Sequence, residues 1–215
     1  MNIGVFGTGI VGQTIGSCLV DLGHQVKMGS RSVSNEKARA WVNAANHYAS
    51  HGTFAEAAAF GEILFNCTAG KGSLSALESI HAADLHSKVL IDVANPLDYS
   101  RGVPPTLTVS NYDSLGEQIQ REHRLLKVVK ALNTMNAEIM VHPERIQGVH
   151  DVFICGNDDN AKSLVTMILM EWFGWKSVID LGDITNARGM EMVLPLWISL
   201  QRKLGTPIFN FKIVH

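Results

Sequence analysis

The sequence predicts an α/β fold organised around a doubly wound, mainly parallel sheet. Short apolar runs alternate with helix-patterned segments along most of the chain, and the first run leads straight into a glycine-rich turn. No internal repeat or low-complexity tract interrupts the alternation. Residues 2–6 read as a buried strand, residues 10–22 as a helix ended by Gly23, and residues 25–29 as a second strand. Further strands are expected at 62–67, 88–93, 126–131, 152–155 and 176–181, with helices at 34–46, 54–60, 74–82, 114–123 and 159–173. Residues 186–204 read as a long apolar helix that Pro195 must kink or divide, because proline lacks the N–H that a helix interior needs. Residues 208–214 are expected to close an edge strand.

A chain of 215 residues suits one domain, or one domain with a small annex. The regular alternation breaks near residue 146, after His142-Pro143. Residues 1–145 are therefore expected to form the main domain and residues 146–215 a small C-terminal α/β annex. Hydrophobic residues make up 46% of the chain, enough for a sizeable core. The net charge of −2 provides no global field for nucleic acid or an anionic membrane surface, and neither partner is expected. Cys18, Cys67 and Cys155 are far apart and form no CxxC, which predicts reduced thiols in a cytoplasmic setting. The start Met1-Asn2-Ile3-Gly4-Val5 has no basic n-region, and no secretory signal is expected. No run approaches the ~18 uncharged apolar residues that would span a bilayer.

The turn after the first strand reads Gly7-Thr8-Gly9-Ile10-Val11-Gly12, a GxGxxG in the strand–turn–helix–strand context that gives this pattern its meaning. Gly7 permits the tight turn, Gly9 lets a pyrophosphate approach the backbone, and Gly12 lets the helix pack close to the sheet. The helix N-terminus adds unpaired N–H groups and the positive end of its dipole. This is the fingerprint of a dinucleotide-binding Rossmann unit. The end of the second strand selects the dinucleotide. Enzymes that use NAD place an acid there for the ribose 2′-hydroxyl. Here the chain reads Gly29-Ser30-Arg31-Ser32, without an acid and with an arginine suited to a 2′-phosphate. Ser30 and Ser32 can donate hydrogen bonds to that phosphate, and Lys37 adds charge about one helical turn on. Serving equally to cap the next helix, which is expected to start at Ser34, does not exclude these roles. The expected cofactor is NADP.

Ligands of open α/β sheets lie beyond the carboxyl ends of the strands. Those ends carry Thr68-Ala69-Gly70, Ala94-Asn95 and Asn133-Thr134-Met135-Asn136. Small residues at 69–70 leave room for a flat ring, and backbone groups near Ala94 and Asn95 can hold ribose or carboxamide. Thr134 and Asn136 offer neutral hydrogen bonds to the edge of a second ring, unless they merely cap turns. No catalytic residue is assigned: the chain has no GxSxG elbow and no cysteine beside an obvious histidine base. No metal site is assigned either, since His47 and His51 lie in a segment that does not read as a clean helix. Hydride transfer between two stacked rings needs positioning more than acid–base groups.

The run GTGIVG, Gly29-Ser30-Arg31 and Glu36-Lys37-Ala38 resembles the NADPH-dependent reductases of the deazaflavin coenzyme F420. The resemblance continues through Asn95-Pro96-Leu97, the segment Val128–Thr134, Cys155–Asp159, Leu181-Gly182-Asp183, Asn186-Ala187-Arg188 and Leu194-Pro195-Leu196. It implies a cytoplasmic enzyme, often a homodimer, in which Thr8, Ile10, Val11, Ser30, Arg31 and Lys37 contact NADP. It also implies that a deazaflavin stacks near Asn133-Thr134-Met135 and the 194–197 region, including Pro195. Members of that family can carry histidine at the position of Asn133. Two other functions remain compatible with the residues: an NADPH-dependent flavin or ferric reductase, and a non-catalytic NADP(H) sensor.

Overall fold

Strand β1 (Asn2–Phe6) is an interior strand of an eight-stranded sheet, and its residues Ile3 to Phe6 are buried on both faces. The computed structural model describes residues 1–214. From β1 the chain passes through helix α1 (Ile10–Asp21) to β2 (Gln25–Ser30), through α2 (Glu36–Ala44) to β3 (Ala49–Thr53), and through α3 (Phe54–Phe60) to β4 (Ile63–Asn66). Short helices α4 (Ser73–Glu78) and α5 (Ala82–Leu85) lead to β5 (Val89–Asp92). A small antiparallel ribbon, β6 (Leu97–Asp98) with β7 (Thr106–Leu107), precedes α6 (Leu115–Glu122) and β8 (Lys127–Ala131). The rest consists of α7 (Ala137–Val141), β9 (Val152–Gly156), α8 (Asp159–Met167), β10 (Val178–Asp180), α9 (Ala187–Met192) and α10 (Leu194–Leu204).

The strand order is β10-β9-β8-β5-β4-β1-β2-β3, and every pairing is parallel except β8 with β9. The doubly wound, mainly parallel class expected from the alternation is thus the one observed. β1 is the switch point, because the chain first builds outward to β3 and then restarts at β4 on its other side. Alternation along each strand divides the side chains between two cores. Val5, Phe65 and Ile91 pack with Ile15, Leu19 and Ile139 on one face. On the other, Phe6, Leu64, Leu90 and Val128 pack with Phe54, Leu77, Ile119 and Met190.

Several boundaries depart from expectation. Strand β3 (Ala-Ser-His-Gly-Thr) carries no apolar alternation, because it pairs only with β2 at the sheet edge. Helix α2 is capped by Asn35, whose side chain accepts the Ala38 N–H at 3.0 Å, rather than starting at Ser34. The segment 159–173 begins as an α-helix and ends as a π-turn over Ile168–Trp172. The long helix at 186–204 is divided into α9 and α10, with Pro195 in the first turn of α10, where its missing N–H costs nothing. The expected strand at 208–214 does not form. Strand β9, the one it approaches, is already paired on both sides by β8 and β10. The segment instead crosses the start of β9, where Phe211 O accepts the Asp151 N–H at 3.1 Å and Asp151 accepts the Ile213 N–H. Strands β9 and β10, from the C-terminal region, extend the same sheet as β1. No helix among the described residues is long and apolar enough to cross a membrane.

The turn between β1 and α1 is as tight as its glycines require. Gly7 has φ +114°, and a Cβ there would lie 2.6 Å from the Cys67 carbonyl oxygen. A Cβ on Gly12 would lie 2.1 Å from the Gly7 oxygen, so α1 can sit against the turn only as glycine. Gly12→Ala is therefore expected to destabilise the fold by about 1–3 kcal/mol, as overpacked sites do. At roughly 2–4 °C per kcal/mol for a chain of this size, the melting midpoint should fall by about 2–12 °C. Gly9→Ala, with nothing within 4 Å of the added carbon, should leave it nearly unchanged in a thermal melt.

Candidate functional site

The carboxyl ends of β1, β4, β5 and β8 converge on one edge of the sheet. There the loops Cys67–Lys71 and Val93–Ser100, with Val11 of α1, line a cleft of about 630 Å³. Of the expected site residues, Val11, Thr68, Ala69, Gly70, Ala94 and Asn95 come together in it. Gly70 has a packing reason to be small: a Cβ there would lie 2.2 Å from the Asn95 oxygen, so glycine lets the two loops touch. A second cavity of about 550 Å³ shares Leu97 and Tyr99 with the cleft and is walled by Leu194, Trp197 and Ile198 of α10. A larger groove, about 940 Å³, lies between α1, α2, α7 and the π-turn, and no strand-end loop lines it.

At the nucleotide end, Gly9 is exposed and faces open space, and no side chain caps the N-terminus of α1. The amides of that first turn are therefore available to an anion. Thr8 is held by its carbonyl, which accepts from Gln13 Nε2 at 3.0 Å, and Ile10 is largely exposed. Arg31, Ser32 and Lys37 are exposed, and Arg31 has no ion-pair or hydrogen-bond partner among the described residues. Ser30 differs from expectation: it is buried, and its hydroxyl donates to the Ser32 carbonyl at 2.7 Å, shaping the turn. Glu36 is the one acid in the segment 30–37, and it sits in the first turn of α2.

The polar groups at the strand ends are mostly committed to one another. Asn66 Nδ2 donates to Asp92 Oδ1 at 2.8 Å, and its Oδ1 accepts from the Thr68 hydroxyl at 2.7 Å. Asn95 and Asn133 form a reciprocal pair, with Asn95 Nδ2 donating to the Asn133 carbonyl and Asn133 Nδ2 to Asn95 Oδ1, both at 2.9 Å. Asn133, Thr134 and Met135 are buried, and none lines the cleft. Asn136 caps α7 through the Glu138 N–H at 2.9 Å. Pro195 is half-buried at the start of α10. Two buried atoms beside these elements have no hydrogen-bond partner among the described residues, Asn133 Oδ1 and Trp197 Nε1.

A buried ionic cluster lies under the cleft and was not anticipated. Lys130 Nζ is 2.9 Å from Asp92 Oδ2 and 2.8 Å from Glu191 Oε1, and it also donates to the Ala94 carbonyl. Glu191 accepts the Leu115 and Gly116 amides at 2.9 and 3.1 Å, capping α6 from α9. Burial opposes the Lys130 charge, but the two carboxylates outweigh it and hold the ammonium above its ordinary value. The signal was present in the sequence as a charge within each of two apolar runs, VLID and KVVKA, but nothing local tells a buried charge from one at a surface turn. Cys67 is buried, and burial, with Asp92 adding to it, pushes its thiol well above the ordinary range. It remains protonated at neutral pH and is no nucleophile. Asp98, at the cleft mouth, is held below its ordinary value by the Ser100 amide and hydroxyl, so it is no proton donor.

Residues 2–96 match the family described as NADP oxidoreductase, coenzyme F420-dependent. The chain is 26% identical over 161 residues to the F420-dependent NADP reductase of Methanocaldococcus jannaschii, covering 74% of this chain and 71% of the relative. A candidate F420-dependent NADP-reductase from Arthrobacter sp. FB24, solved by crystallography, is 48% identical over the full length of both chains, with a TM-score of 0.95. A reductive aminase from Aspergillus terreus, in complex with NADPH and ethyl levulinate, has a TM-score of 0.66 over 95% of this chain and 62% of its own. At 14% identity that likeness concerns the fold alone. With a dinucleotide fingerprint, an arginine in place of the acid after β2 and full-length similarity of this degree, the chain belongs to the F420-dependent NADP oxidoreductase family and is an NADP-dependent oxidoreductase.

Proposed function

We propose that this enzyme binds NADP(H) along the edge of the sheet from Arg31 to the Ala94–Asn95 loop and exchanges hydride with a deazaflavin of the F420 type. The observation that carries the coenzyme half is the open face of Gly9 at an uncapped helix N-terminus, together with an exposed Arg31 that has no partner among the described residues. In this reading the Gly7–Gly12 turn holds the pyrophosphate with its amides. The Arg31 guanidinium pairs with the 2′-phosphate, Ser32 and Lys37 add to that pocket, and Ser30 fixes the shape of the turn. Thr68, Ala69, Gly70, Ala94 and Asn95 bound the nicotinamide cleft. The acceptor lies on the far side of Leu97 and Tyr99, in the cavity walled by Leu194, Trp197 and Ile198 of α10; the expected contacts Asn133, Thr134, Met135, Asn136 and Pro195 do not line it.

When both are bound, the coenzymes would supply the chemistry, a hydride exchanged between the nicotinamide and the deazaflavin ring with the accompanying proton exchanged with solvent. The protein would contribute position, with Thr68, Ala69, Gly70, Ala94 and Asn95 bounding one ring and α10 the other, and a cleft wall without a reactive thiol or a free proton donor at Asp98.

NADPH is expected to bind about ten- to a hundredfold more tightly than NADH, from a charge-assisted contact of roughly 1.5–3 kcal/mol to the 2′-phosphate. Arg31→Ala should remove most of that preference and leave NADH within about twofold of the parent protein. Calorimetric titration of both nucleotides reads both effects, and equal affinities in the parent protein would refute the choice of NADP. The acceptor is read by stopped-flow oxidation of bound NADPH with the deazaflavin, FMN and FAD in turn. Rapid oxidation by the deazaflavin alone is expected. Oxidation by FMN or FAD instead would assign an ordinary flavin, and no oxidation by any of them would point to a sensor.

A further inference from the structure

Two adjacent residues of α9 are tied to two adjacent residues of the cleft wall. The first tie is ionic: Glu191 Oε1 meets Lys130 Nζ at 2.8 Å, and Lys130 donates to the Ala94 carbonyl. The second is neutral: Asn133 Nδ2 donates to the Met190 carbonyl at 3.1 Å and to Asn95 Oδ1 at 2.9 Å. Ala94 and Asn95 line the cleft, and α9 runs directly into α10, whose Leu194, Trp197 and Ile198 wall the second cavity. The ties therefore connect the wall of one cavity to the wall of the other. We propose that Lys130 and Glu191 are positioning residues, which set the spacing between the nicotinamide cleft and the acceptor wall on α10. This rests on the reading that α10 covers the acceptor.

Three features favour positioning over a simple contribution to stability. The Lys130 ammonium has three hydrogen-bonding protons, and Asp92, Glu191 and the Ala94 carbonyl occupy all three. Each partner comes from a different piece of the site: the end of β5, helix α9 and the cleft loop. Glu191 spends its remaining capacity on the Leu115 and Gly116 amides, which anchors α9 to the N-terminus of α6 at a fixed height. Buried ion pairs contribute little net stability compared with an apolar core, but their geometry admits few alternatives. Hydride transfer is the kind of step that rewards such constraint, since a misplacement of about 1 Å can cost on the order of a hundredfold in rate.

The test is Glu191→Gln, which keeps the shape but removes the charge facing Lys130 and leaves one accepting oxygen where Glu191 uses two, so that one contact to the Leu115 and Gly116 amides is lost with it. Four quantities are read: NADPH affinity, deazaflavin affinity for the NADP⁺-loaded enzyme, the single-turnover rate of NADPH oxidation, and amide hydrogen exchange in the free protein. Single turnover on NADPH-loaded enzyme counts only folded molecules. NADPH affinity should stay within about twofold, since the Gly7–Gly12 turn and Arg31 lie elsewhere on the sheet edge. The transfer rate should fall about tenfold, deazaflavin affinity should weaken, and exchange should speed up at 187–204 but not in α1 or β2. An unchanged rate and unchanged acceptor affinity would overturn the proposal, as would parallel loss of NADPH binding or faster exchange throughout the chain. If Glu191→Gln does not fold, Glu191→Asp replaces it: the charge is kept on a shorter arm, and the same split is expected. If the parent enzyme oxidises NADPH with no deazaflavin, the acceptor reading fails. The exchange measurement then still decides whether the tie holds α9 and α10 in place.

Discussion

A lysine ammonium placed at full burial in the strand next to the cleft imposes the strictest condition in this molecule. Water cannot reach Lys130, so each of its protons must find an acceptor within the protein. The acceptors available are a carboxylate at the end of β5, a carboxylate on α9 and a loop carbonyl, and each lies on a segment distant in sequence from the others. Meeting the condition therefore draws β5, β8, the cleft loop and the C-terminal helices into one arrangement. The two carboxylates leave the cluster one negative charge in surplus, and the positive end of the α6 dipole lies against Glu191, where it offsets part of that surplus.

The reversal of β9 makes that arrangement necessary. Because β9 runs antiparallel to β8, the chain leaves both β9 and β10 at the edge opposite the cleft. It must then climb back beside α6 to bring α10 to the ligand side. The Arg188–Glu117 ion pair and the Glu191 cap mark this climb, each joining α9 to the first turn of α6. A parallel β9 would have ended at the cleft and needed no such return. The C-terminal tail is secured differently, by hydrogen bonds to His150 and Asp151 just before β9 and by the stacking of Phe209 on Trp197.

The first third of the molecule was legible from its residues because its determinants are local. A tight turn after β1, a helix packed against that turn and an arginine where an acid would stand all follow from residues within about thirty positions of one another. The division at Pro195 was legible for the same reason, since proline constrains only its own turn. Strand β3 was not, because an edge strand with one neighbour needs no apolar alternation. The tail at 208–214 was misread because its β-like composition says nothing of whether a free strand edge exists to receive it.

What the sequence by itself determined is the start of the dinucleotide unit: strand, helix and strand in order, the glycine turn between the first two and the absence of an acid after β2. These depend on backbone geometry and side-chain chemistry at short separation. Only the tertiary structure decided which polar groups are free and which are spent. Thr68, Asn95 and Asn133, expected among the ligand-facing residues, have side chains committed largely to one another and to Asn66. Lys130, Asp92 and Glu191, to which no local pattern gives a role, are buried together. The availability of a hydrogen-bonding group depends on its neighbours in space, and those here include groups 26 to 76 residues away along the chain.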